Sequence, residues 1–77
     1  SYATIQPINY TVSTEDTKAT VNVDNFESGK VVLFSLDDSE EWQTGLTFEN
    51  LSYGNHTIQA KYENESYIFS VSFVVQD

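Results

Sequence analysis

Apolar and polar residues alternate with period two along most of this chain. Ile8, Tyr10 and Val12 alternate with Asn9 and Thr11, and Ala19, Val21 and Val23 with Thr20 and Asn22. Leu46 and Phe48 flank Thr47, while Ile58, Ala60 and Tyr62 alternate with Gln59 and Lys61. The last run sets Phe69, Val71, Phe73 and Val75 against Ser70, Ser72 and the less polar Val74. Such alternation sends one set of side chains to a core and the other to water, which is the signature of half-buried strands. The run KVVLFSL, residues 30–36, is continuous instead and predicts a central strand buried on both faces.

Turn-forming clusters separate these runs: STED at 13–16, ESG at 27–29, DDSEE at 37–41, SYGN at 52–55 and ENES at 63–66. The only proline, Pro7, interrupts the first run and marks it as an edge strand. No stretch carries a helical stripe. Short strands at intervals of roughly 8–12 residues predict an all-β fold, an antiparallel β-sandwich of six to seven strands. The 77 residues are expected to form a single domain, 1–77.

A chain of this size buries roughly 60% of the surface its unfolded form exposes, so its core is thin. There is no cysteine to reinforce it, and an aromatic content of 14% must carry much of the packing. Twelve acidic residues face three lysines and no arginine, giving a net charge of −9. That balance argues against a nucleic-acid partner, which needs a basic face to neutralise phosphates. Anionic membranes are disfavoured on the same ground, and no apolar run is long enough for membrane insertion. The chain opens on Ser1 and holds no methionine, so the expectation is a module of a longer protein, with targeting information elsewhere.

Three segments carry a resemblance: SGKVVLFSLDD, then LTFENLSYGNHTIQAKYENESY, then FSVSFVVQD. Together they resemble the immunoglobulin-like repeats of secreted and surface proteins of bacteria and archaea. In those repeats a Gly-x-Val-x-Phe strand precedes a Leu-x-x-Gly-x-His-Thr-Ile-x-Ala-x-Tyr corner. The corresponding residues are Gly29, Val31 or Val32, Phe34, Leu51, Gly54, His56, Thr57, Ile58, Ala60 and Tyr62. The likeness covers residues 28–76, and the first 27 residues fit as two generic strands. Fibronectin type III domains share much of this corner but more often place a tyrosine where His56 stands. The resemblance implies an immunoglobulin-like or fibronectin type III-like sandwich.

The corner is also readable as physics. Leu51 seals the end of the core, Gly54 supplies the positive φ of a tight turn, and His56 is the next inward residue. A corner tyrosine bonds back to upstream backbone, and one imidazole nitrogen can make a similar bond. His56 is therefore expected to be scaffold, with tyrosine tolerated in its place. As a metal ligand or base it lacks companions, since zinc takes several His or Cys ligands. No Gly-x-Ser-x-Gly elbow is present.

Three further clusters offer chemistry. Asp37, Asp38, Glu40 and Glu41 would suit calcium, a hard cation, but lack the spacing of an EF-hand loop; a solvated turn is the plainer reading. Trp42, with Tyr53, Tyr62 and Tyr67, would make a stacking platform for carbohydrate if exposed, or otherwise cover one end of the core. Asn9, Asn50, Asn55 and Asn64 begin glycosylation sequons, which matter only if the source modifies them. Carboxylate-pair catalysis would need a water-excluding pocket, for which so small an interior has little room. A lysine–asparagine cross-link through Lys18, Lys30 or Lys61 finds no asparagine in the closing strand.

The expected function is thus non-catalytic, with no cofactor: an extracellular or cell-surface spacer or interaction module of an adhesin, a surface-layer protein or a glycan-degrading enzyme. Its partners would be neighbouring domains of the same chain, a carbohydrate or another protein. The alternatives are a small carbohydrate-binding module and a phage or viral decoration domain.

Overall fold

The computed structural model describes residues 4–77, so the first three residues of the expected domain lie outside it. Among the described residues there are six strands and no helix: β1 (Asn9–Glu15), β2 (Lys18–Asn25), β3 (Val32–Leu36), β4 (Thr47–Phe48), β5 (Gly54–Tyr62) and β6 (Phe69–Val75). They form two three-stranded antiparallel sheets, in the orders β1-β2-β4 and β3-β5-β6. The first strand is an edge, as Pro7 predicts; it begins two residues after that ring, with a register shift between Asn9 and Tyr10.

The alternating residues meet where the pattern sends them. Tyr10, Ala19 and Val21 from one sheet, with Ile8 just before β1, face Phe34, Ile58, Ala60, Tyr62 and Val75 from the other, and Leu51 closes one end. Each of the larger side chains contributes about 1.5–3 kcal/mol by leaving water. Tyr10 meets Phe34 edge to face, with ring centroids 5.8 Å apart, an arrangement that suits the ring quadrupoles.

Three expectations need correction. STED at 13–16 is not the first turn: β1 runs through Glu15, and the reversal falls on Asp16 and Thr17. KVVLFSL is not the central strand; that place belongs to β5, flanked by β3 and β6. On its other side β3 touches only Gln43, through paired backbone bonds between Phe34 and Gln43 of 2.8 and 2.9 Å. Burial on both faces is reached only at Phe34 and Ser35, and Val31 is 45% exposed. Leu46, expected to point inward beside Phe48, is also 45% exposed, because β4 is only two residues long. The Leu46 carbonyl accepts from the Val21 amide at 2.7 Å, leaving its side chain on the rim.

Two tyrosine hydroxyls cross between elements. Tyr10, on β1, donates to the Ile58 carbonyl at 2.8 Å and lies against that of Phe69, so it stitches one sheet to the other. Its burial pushes the phenol well above the ordinary tyrosine range. Tyr62 donates to the Gln6 carbonyl at 2.7 Å and accepts from the Glu27 amide at 2.9 Å. One oxygen thereby fastens the N-terminal segment and the β2–β3 connection to the end of β5.

Tyr62→Phe removes that oxygen and strands a part-buried amide, so it should cost about 1–3 kcal/mol. Urea unfolding measures this; an unchanged midpoint would show that water replaces the hydroxyl without penalty.

Candidate functional site

The turn into β5 depends on backbone that few residues adopt. Gly54 has φ of +111°, and Asn50, just before Leu51, has φ of 58°. Those two positions let the chain reverse and deliver His56 as the first fully inward residue of β5. His56 is only 8% exposed and stacks on Phe73, its cross-strand neighbour, with centroids 5.7 Å apart.

Both imidazole nitrogens are engaged. Nδ1 lies 2.6 Å from Asp37 Oδ2, and Nε2 lies 2.7 Å from the Ser52 carbonyl oxygen. A carboxylate and a carbonyl are both acceptors, so both nitrogens must carry a proton and the ring is an imidazolium. Its pKa is raised above the ordinary histidine value by the bond to Asp37 and then by the bond to Ser52. Asp37 is partly desolvated, which alone would raise its pKa. The bonds from His56 and from the Thr57 amide, 2.8 Å from Oδ1, outweigh this and lower it. The Asp37 amide in turn donates to the Thr57 carbonyl at 2.8 Å. Asp37 itself has φ of 51°, a left-handed conformation that aspartate tolerates.

One imidazole nitrogen bonds to backbone four residues upstream, at the Ser52 carbonyl. The ion pair with Asp37 was not visible in the sequence, where the aspartate belonged to the calcium cluster. A tyrosine at position 56 has one donor for two acceptors, so the expected tolerance of tyrosine gives way to a loss. Asp37 is spent on His56 and Thr57, and among the described residues no three His, Asp or Glu side chains gather as a metal would require. Asp38, Glu40 and Glu41 are exposed turn residues.

Ser52, His56 and Asp37 superficially stand in the order of nucleophile, base and orienting carboxylate, with Ser52 Oγ 3.3 Å from Nε2. A general base must accept the nucleophile's proton through a free lone pair. Nε2 has none, because it already donates to the Ser52 carbonyl. The arrangement works as a clamp between the β3–β4 loop and the start of β5.

The aromatic platform does not assemble. Tyr62 is 1% exposed and belongs to the core. Tyr53 precedes Gly54, which pairs with Val75, whereas Tyr67 lies two residues before Phe69, which pairs with Ala60. Six residues of β5 separate those ends, about 20 Å. Tyr67 rests on Phe69 with centroids 4.9 Å apart, and half-buried Trp42 carries the Lys61 ammonium 4.5 Å over its ring.

Alternation also hid a buried polar pair. Ser35 and Gln59 sit opposite each other on the side of the sheet away from the core, yet both are buried. Gln59 Oε1 accepts from Ser35 Oγ at 3.2 Å and from the Asp38 amide at 2.9 Å, drawing the acidic loop over this face. Compared with known proteins, the chain matches no family model, no curated protein and no solved structure.

The His56–Asp37 pair makes stability depend on pH in a defined window. His56 has a raised folded pKa, so its contribution is complete below its unfolded value, about 6.5, and is lost above that as pH rises through the folded pKa. Asp37 has a lowered folded pKa, so its contribution is present above about 3.9 and is lost as pH falls. No other side chain titrates in its ordinary range between about pH 6 and 9, since this is the sole histidine and there is no cysteine. The melting temperature should therefore fall across that interval, and His56→Gln should flatten the fall. His56→Tyr should cost about 1 kcal/mol, the modest end for a charged bond because Asp37 is 45% exposed. Calorimetric melts of the three proteins check this; a wild-type profile flat from pH 6 to 9 would remove the ion pair.

Proposed function

We propose that this chain is a non-catalytic, immunoglobulin-like module that spaces or presents neighbouring domains of a larger extracellular or cell-surface protein. The observation that carries the reading is where the chain enters and leaves. Gln6 is fastened to Tyr62 at one end of β5, and Val75 pairs with Gly54 at the other. Eight residue steps of an extended strand separate these points, about 26 Å. Entry at one end and exit at the other lets copies or neighbours be joined in line without folding back. The molecule is elongated in keeping with this, at 49 × 23 × 18 Å.

Strand order adds support. Taken in sequence, β1, β2 and β4 share one sheet and β3, β5 and β6 the other, which corresponds to the A-B-E and C-F-G division of immunoglobulin-like sandwiches. The Leu51–Gly54–His56 corner falls at the start of the sixth strand of that scheme, where such domains carry their corner tyrosine. The net charge of −9 would keep an array of such modules soluble and apart.

The reading is tested by joining a folded reporter domain to each end at once. The module's melting temperature should stay within about 2 °C, and scattering should show an extended three-body particle. A large loss of stability, or reporters held side by side, would reject it. In parallel, Trp42 fluorescence should not respond to cellulose, chitin or xylan fragments; a saturable response would favour the carbohydrate-binding alternative.

A further inference from the structure

One side of the molecule is left unfinished. β4 pairs with β2 only at Ala19 and Thr20, and beyond the Val21–Leu46 bond no strand among the described residues lies beside the rest of β2 there. β3 is similarly open, touching Gln43 at Phe34 alone. Because bonding direction alternates along a strand, the outward amide of Phe34 places the N–H and C=O of Val32 on the same open side. The outward amide of Val21 does the same for Val23.

Between these two open edges lies a groove of about 390 Å³, lined by Val23, Phe26, Val31, Val32, Phe34 and Leu46, together with Lys30 and Thr44. Phe26, Val31 and Leu46 are 42–45% exposed although apolar, and they converge on this one place. Exposed apolar residues scattered singly mean little, but a contiguous set beside unpaired strand backbone is where an added strand gains both ladder bonds and side-chain burial.

Charge decides which strand. Lys30, the sole charged lining residue, is already held by Glu65 at 2.5 Å and Glu27 at 3.5 Å, so the trio is net negative. A second copy of the chain would bring another −9 to a surface of −9. We infer that this groove is a docking site for an extended segment of a cationic partner, with apolar residues alternating with lysine or arginine. Its apolar side chains enter between Phe26, Val31 and Leu46, and its backbone extends the β3 edge at Val32. The inference stands on the open edges and not on the spacer reading, which its test leaves untouched.

The probe is a peptide of about eight residues alternating lysine and valine, titrated into isotopically labelled protein. Amide shifts should centre on Val23, Phe26, Val31, Val32 and Leu46, with a Kd of about 0.1 mM or tighter. Val31→Ser and Leu46→Ser, both at exposed positions, should weaken binding about tenfold, while Val74→Ser on the far strand should not. Binding should persist in part at about 0.5 M salt, where surface charge alone is screened. The same peptide with two adjacent central prolines, one of which must turn its missing N–H toward the ladder, should bind at least tenfold more weakly. Shifts spread over the whole acidic surface, or binding that vanishes in salt, would overturn the inference. So would equal binding of a glutamate–valine peptide. If sedimentation shows a dimer burying the same amides without peptide, the occupant is a second copy and the cationic-partner assignment is wrong.

Discussion

The Tyr62 hydroxyl accepts the Glu27 amide and donates to the Gln6 carbonyl, and much of the architecture depends on that single atom. A chain this small, with no disulfide, buries too little apolar area for packing alone to fix how its segments sit. Polar bonds reaching across elements do so instead, because inside the protein each has a definite length and direction. Tyr62 anchors the N-terminal segment and the β2–β3 connection, while Tyr10 joins the β1 edge to the backbone of β5 and β6. Their rings fill the core while their hydroxyls set its geometry.

β5 is the natural place for this work. It is the longest strand and the central one of its sheet, and its residues supply the clamp at one end and the clasp at the other. His56 ties its start to the Ser52 carbonyl and to Asp37 of the β3–β4 loop. Gln59 at its middle holds the same loop through the Asp38 amide. The acidic run 37–41 is an exposed turn, as expected, but it is pinned at one end, because Asp37 and Asp38 bond to β5.

Most strand positions and the inward set apart from Leu46 were legible because period two acts locally and leaves a direct trace in the residue order. The inward place of His56 was legible for the same reason, and the positive φ at Gly54 from a glycine set in a turn cluster. What alternation does not encode is which strands become neighbours. A continuous apolar run looks the same whether it lies between two strands or beside one, so KVVLFSL gave no sign of its edge position. Gln59 and Ser35 read as solvent-facing because their burial comes from a loop distant in sequence. The partnership of Asp37 with His56 spans nineteen residues and was masked by three neighbouring acids that offered a simpler reading. Tyr62 is the reverse case: its aromatic character suggested a surface ligand, whereas its parity on β5 already put it in the core.

Entry at the Tyr62 end and exit at the Gly54 end also decide how the molecule meets force. β1 runs away from the first end and β6 runs toward the second, so pulling on the two termini drags these strands in opposite directions along their own axes. The load falls in shear across the β1–β2 and β5–β6 ladders and on the Tyr10 bridge, whose bonds must then fail together. Peeling would open them singly.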